Sequence, residues 1–169
     1  MFKKIIYCII LMNNSIYSSE ALKLPIVFHP SYDISFAGLE NLHPFDSKKY
    51  GKVYSFLQRK FNLTDDNFYH PAGQVTDQEL LKVHTPVYLD SLKVKWNNFW
   101  KSSIQLAQIT AVPPLRFVPR IIADYVLLKP MRLATSGTVQ AVELALQHGW
   151  AINLSGGYHH AKTGEGGGF

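Results

Sequence analysis

The 169-residue chain is 47% hydrophobic, 13% aromatic and 17% charged, a balance that supports a buried core and excludes intrinsic disorder. Its length fits one domain and falls short of two. A single cysteine, Cys8, excludes an internal disulfide and a cysteine-based zinc cluster, and a net charge of +5 without a dense Lys/Arg cluster gives no footprint for direct nucleic-acid binding.

Residues 1–21 differ from the rest. Lys3 and Lys4 precede the apolar run Ile5 to Met12, and Ser19-Glu20-Ala21 follows with small residues at cleavage spacing. This three-part pattern is that of a secretory signal peptide; an N-terminal extension or extra strand is the other reading. The apolar run is well short of the ~20 residues a transmembrane helix needs, so no membrane span is expected. A signal peptide would direct the protein to a secretory or periplasmic compartment. Residues 22–169 form the domain.

Leu24 to Phe28 reads as a short buried strand, closed by His29-Pro30. Residues 31–45 form a loop containing Tyr32, Asp33, Gly38 and His43. The next helix is capped by Ser47 and turns Val53, Phe56, Leu57 and Phe61 to one face. Thr76-Asp77-Gln78-Glu79 matches a capping box, in which hydroxyl and carboxylate satisfy backbone N–H groups reciprocally. Leu80, Leu81 and Val83 are its apolar positions. Thr85-Pro86 starts a further helix, with proline where a missing N–H costs nothing and Tyr88, Leu89 and Leu92 as the buried stripe.

Trp96, Phe99 and Trp100 continue at helical spacing and read as packing residues rather than a cofactor box. Prolines make 110–119 a loop. Ile121 to Leu128 is a short helix and Thr135 to His148 a longer one, with Val139, Val142 and Leu146 along one face and Gly149 in the left-handed terminating position. Trp150 to Leu154 is a buried strand. Helix followed by uniformly apolar strand is the rhythm of an α/β protein with a mainly parallel sheet.

Directly after that strand, residues 155–169 hold six of the chain's eleven glycines and the pair His159-His160. Ligands bind beyond the carboxyl ends of parallel strands, so function is expected in this loop. A phosphate cradle would need GK[ST] or GxGxxG spacing, which is absent. Adjacent histidines converge poorly on one ion. A pair performing acid–base and electrostatic work beside a separate water-activating group is the third possibility, and histidine titrates near neutrality. Two ordinary loop histidines remain the bland alternative.

Leu154-Ser155-Gly156-Gly157-Tyr158-His159-His160-Ala161-Lys162, followed by Gly168-Phe169, resembles the tandem-histidine motif of zinc-dependent histone deacetylases. Pro25-Ile26-Val27-Phe28, Gly38-Leu39-Glu40, Leu42 to Asp46, Lys52-Val53, Pro113-Pro114, Pro130-Met131-Arg132, Ser136-Gly137-Thr138 and Gly149 to Asn153 are similar to the class IV branch. Val83-His84-Thr85 with Tyr88-Leu89 resembles a family-wide segment. The resemblance runs from Leu24 to Phe169 and is weakest over 94–105.

The resemblance implies the arginase/deacetylase fold, a three-layer α/β arrangement with a mainly parallel sheet, and hydrolysis of an acyl group from a lysine side chain of a protein substrate. It implies Zn(2+), which polarises the acyl carbonyl and the attacking water. His160 corresponds to the general base and His159 to the second histidine, which steadies charge and the leaving amine. Gly168 and Phe169 correspond to the acyl-lysine channel. Lys49 falls where relatives carry an arginine near an internal channel, and His43 and Asp46 either shape the site or serve structure. The family's zinc ligands and its oxyanion tyrosine lie further along its sequence than Phe169. The expectation is therefore an N-terminal half, cut after the tandem-His loop and inactive alone. An acetylpolyamine hydrolase fragment and a secreted, non-catalytic binding protein on half a deacetylase fold are the alternatives. Without a signal peptide, the resemblance implies nucleus or cytoplasm.

Overall fold

A computed structural model describes residues 22–35, 38, 46–93, 95, 117–157 and 160–166. The leader at 1–21, His43, the aromatic run Trp96 to Trp100 and the proline loop at 110–116 lie outside the described residues.

Strand β1 (Ile26–Val27) pairs in parallel with β2 (Ile152–Asn153), Ile26 opposite Ile152 and Val27 opposite Asn153. The flanking backbone extends the ladder: Ile152 N–H donates to Pro25 O at 2.9 Å and Leu154 N–H to Val27 O at 3.0 Å. On its other side β1 bridges Tyr69, whose N–H donates to Ile26 O and whose carbonyl takes Phe28 N–H, both at 2.9 Å. β1 therefore lies between two neighbours and is covered on both faces, which accounts for the unbroken apolar run Leu24 to Phe28. β2 is only half-buried, so it is β1 that forms the centre of the described sheet.

Helix α1 (Lys49–Phe61) has the expected period, but its buried face is rotated from the expected one. Tyr50, Tyr54 and Leu57 enter the core, while Val53 and Phe56 are exposed. Aromatic packing decides the phase: the Tyr54 ring stacks on Phe28 at 4.0 Å and meets Phe68 edge-on at 4.7 Å. Ser47 does not cap the helix. It is buried and donates its hydroxyl to Ile34 O at 2.8 Å. The helix N–H groups are instead served from a distance, because Gly51 N–H donates to both carboxylate oxygens of Asp33, at 3.0 and 3.2 Å.

The capping box is present at α2 (Asp77–Leu80): Glu79 N–H donates to Thr76 Oγ1 at 3.2 Å and Thr76 N–H to Glu79 Oε2 at 2.7 Å. The helix is only one turn long, and Leu81 and Val83 beyond it are exposed rather than core positions. α3 (Pro86–Leu92) begins as its sequence requires, with Thr85 Oγ1 accepting Tyr88 N–H and Leu89 buried.

The two helices expected near 121–128 and 135–148 are one continuous run. α4 (Arg120–Ala123) passes through a π turn at Asp124–Leu128 into α5 (Lys129–His148). Pro130 has no N–H to give the preceding turn and its ring crowds the carbonyl four residues back; a wider turn just ahead of it accommodates both without ending the helix. α5 buries Leu133, Ala134, Gly137 and Leu144, whereas Val139, Val142 and Leu146, the expected face, are exposed. Gly149 terminates the run at φ 78°, its N–H on Ala145 O at 2.8 Å.

α5 packs against β1, β2 and the Pro30–Tyr32 turn. Contact is close at Gly137, where an added Cβ would overlap Tyr32 Oη and lie 3.2 Å from Asn153 Oδ1. Asn153, the polar residue in β2, faces the helix and donates to Ala134 O and Thr138 Oγ1, both at 3.0 Å. That pairing satisfies its amide and fixes the strand end, from which the glycine-rich loop departs.

Candidate active site

Beyond β2 the chain turns at once. Gly156 N–H donates to Asn153 O at 3.0 Å with Gly156 at φ 70°, a left-handed conformation that glycine adopts without strain. Thr138 Oγ1, which accepts from Asn153, shares its single proton between Ala134 O at 3.2 Å and Gly156 O at 3.4 Å. The start of the loop is thus tied to α5, three residues before the histidine pair.

The loop forms one wall of a cavity of about 820 Å³ with a predominantly apolar lining. Ser155, Gly156, Gly157 and His160 line it from the loop; Met131, Arg132, Thr135, Thr138 and Val139 from α5; Leu80, His84, Tyr88 and Leu89 from the α2–α3 region; and Lys49 and Tyr50 from the start of α1. Two residues singled out in the sequence, His160 and Lys49, therefore meet on one cavity although 111 positions separate them in sequence. His159, Gly168 and Phe169 lie outside the described residues.

The Lys49 ammonium sits 5.2 Å from the centre of the Tyr50 ring. Burial lowers its pKa below the usual lysine range, with Asp46 opposing the shift. Burial likewise raises the Tyr50 hydroxyl, and the Asp33 carboxylate adds to the effect. At Tyr88 burial is again the larger cause of an upward shift and Glu165 the smaller. The neutral phenols and the partly desolvated cation give the cavity a few polar groups in an apolar wall, the usual make-up of a small-molecule site. Asp46 does not line the cavity itself and acts on it through Lys49. It accepts Lys48 N–H at 3.0 Å and pairs with Lys52 at 2.6 Å outside the cavity lining.

The far end of the loop is also anchored. His84 Nδ1 lies 2.8 Å from Lys162 O, Thr85 N–H donates to Thr163 O at 2.8 Å, and the turn between closes through Lys162 N–H on Glu165 O at 2.9 Å. His84, Tyr88 and Thr138 stand in segments that resemble the family, but the sequence assigns them no role at the site; folding brings them to the loop. Among the described residues no three His, Cys, Asp or Glu side chains converge as a metal site, so these residues fit a base and a cavity wall but do not by themselves fit a zinc-binding set. Among them, too, no helix is long and apolar enough to cross a membrane.

Residues 43–169 match the histone deacetylase domain, and the chain belongs to that family. What it displays is a partial deacetylase fold with a small parallel two-stranded sheet and several helices. The chain is 41% identical over 160 residues to histone deacetylase 2 of Arabidopsis thaliana, a match covering 94% of this chain and 39% of that protein. It is 27% identical over 146 residues to an uncharacterized protein of Picosynechococcus sp., covering 86% of this chain and 42% of that one. The chain thus spans about two fifths of the length of these relatives.

Proposed function

We propose that the whole protein is a zinc-dependent protein lysine deacylase of the class IV type, on the three-layer arginase/deacetylase fold, and that this chain supplies its tandem-histidine wall. The observation that carries the reading is His160, placed just past the carboxyl end of a parallel strand and lining a largely apolar cavity that reaches Lys49. In this reading His160 is the general base. His159 steadies developing charge, Gly168 and Phe169 line the acyl-lysine channel, and Lys49 stands at its inner end. When bound, zinc supplies Lewis-acid activation, and its ligands come from outside the described residues. A positioned histidine base contributes about 10²–10⁴-fold, which does not replace that activation, so the 169-residue chain alone is expected to be inactive.

The test is a chimera in which this chain replaces the matching segment of Arabidopsis histone deacetylase 2, with the unaltered plant protein as positive control. Zinc-dependent release of acetate from an acetyl-lysine peptide, in preference to an acetylated polyamine, is expected. A folded chimera that releases nothing, or that prefers the polyamine, rejects the reading. We also propose that residues 1–21 are a removable signal peptide; a mature protein that still begins at Met1 would refute this and leave nucleus or cytoplasm as its place.

A further inference from the structure

The loop that carries His160 has little stiffness of its own. Gly156, Gly157, Gly164 and Gly166 all lie in it, and glycine-rich backbone samples many conformations. Contacts from outside the loop therefore bear on the place of His160. Thr138 and Asn153 hold its start. We propose that His84 is the positioning residue that holds its other end, two residues beyond His160. The catalytic consequence rests on the deacylase reading; the clamp itself does not.

A carbonyl only accepts hydrogen bonds, so the 2.8 Å contact with Lys162 O requires the proton on His84 Nδ1. The neighbouring Thr85 N–H takes the next carbonyl, Thr163 O, also at 2.8 Å. Two successive carbonyls held by two successive residues fix the direction of the loop as well as its position. Both donors are preset. Thr85 is the N-cap residue of α3, so its N–H has no partner within that helix, and Pro86 fixes the backbone that follows. The His84 ring lies 5.2 Å from the Tyr88 ring, one helical turn on. Lys162 and Glu165 close the docked turn on itself by a backbone bond and a 2.6 Å ion pair. A base misplaced by about 1 Å can cost on the order of 10²-fold in rate, so a clamp two residues away bears directly on the proposed chemistry.

The experiment uses the full 169-residue chain and nitrogen-15 NMR of its histidine rings, with amide exchange as a second readout. In the unaltered chain His84 is expected as the Nδ1–H tautomer. His84→Phe keeps a ring against Tyr88 but has no donor. It should displace or broaden the His160 ring signals and speed exchange of the Thr85 amide about three- to tenfold. His84→Asn, whose amide donates from nearly the position of Nδ1, should restore both. His148→Phe, at the end of α5, should move neither. An Nε2–H tautomer in the unaltered chain, or unchanged His160 signals in His84→Phe, overturns the proposal. Should His84→Phe fail to fold, the tautomer and the His84→Asn spectrum decide it. None of these readouts needs turnover, so an inactive chimera would remove the deacylase reading and leave the clamp standing.

Discussion

Gly137→Ala probes how closely α5 approaches the sheet end that positions the loop. The new methyl carbon would overlap Tyr32 Oη, lie 3.1 Å from Tyr32 Cζ and 3.2 Å from Asn153 Oδ1. The Tyr32 ring has little room to retreat: it is 1% exposed, with Phe28 edge-on at 6.0 Å and Tyr50 edge-on at 6.5 Å. Overpacking of this kind costs about 1–3 kcal/mol, and alanine returns up to about 1 kcal/mol through its helix propensity. A net loss of about 1–2 kcal/mol is expected, read as a lower urea midpoint with unchanged slope. Tyr32→Phe removes the overlapping oxygen. Among the described residues that hydroxyl has no hydrogen-bond partner, so the single change should lie within about 1 kcal/mol of neutral. In the double variant Gly137→Ala/Tyr32→Phe most of the loss should return, a coupling of about 1–2 kcal/mol. A Gly137→Ala chain as stable as the parent, or a double variant with no recovery, refutes the packing described here.

Asp77 pairs with Arg132 and Lys93, each at 2.8 Å, and these bonds hold its pKa below the usual carboxylate range. The pairs are partly solvated, so Asp77→Asn should cost no more than about 1 kcal/mol; a depressed pKa contributes stability above the ordinary value of 3.8 and loses it as pH falls through the folded value, so the difference from the parent should close in acid. Denaturation at pH 7 and pH 2.5 checks this, and a gap that persists at low pH contradicts it. Gly51→Ala places a methyl against the Asp33 carboxylate that accepts Gly51 N–H, and loss of this remote cap should lower stability by about 1 kcal/mol despite the better helix former. Leu146 is 84% exposed, so Leu146→Lys should stay within about 0.5 kcal/mol of the parent chain; a larger loss would show that this side of α5 is covered.

Local signals were readable in sequence wherever one residue and its near neighbours decide the structure. The Thr76–Glu79 box, the Thr85-Pro86 start and the Gly149 stop all depend on bonds spanning no more than four residues, and all three stand as their sequences imply. Phase and partnership were not readable in that way. α1 shows a periodic apolar stripe at Val53 and Phe56, yet the stacking of Tyr54 on Phe28 turns a different face inward. Ser47 has the chemistry of a cap, but Ile34 O claims its hydroxyl, and the cap arrives from Asp33, 18 residues earlier. In α5 the stripe Val139, Val142 and Leu146 is as apolar as the buried one. The close approach at Gly137 decides which side faces the sheet. The loop itself was legible from its glycines and histidines, whereas the segment around His84 showed a resemblance but not its partner, because the contact with Lys162 spans 78 positions.

The central claim, that His160 serves as the base of a zinc-dependent lysine deacylase, is tested most directly by His160→Ala in the chimera with Arabidopsis histone deacetylase 2. Loaded with zinc and assayed on an acetyl-lysine peptide, the variant should lose about 10²–10⁴-fold in kcat while binding zinc as the parent does. Turnover within a few-fold of the parent chimera would contradict the claim.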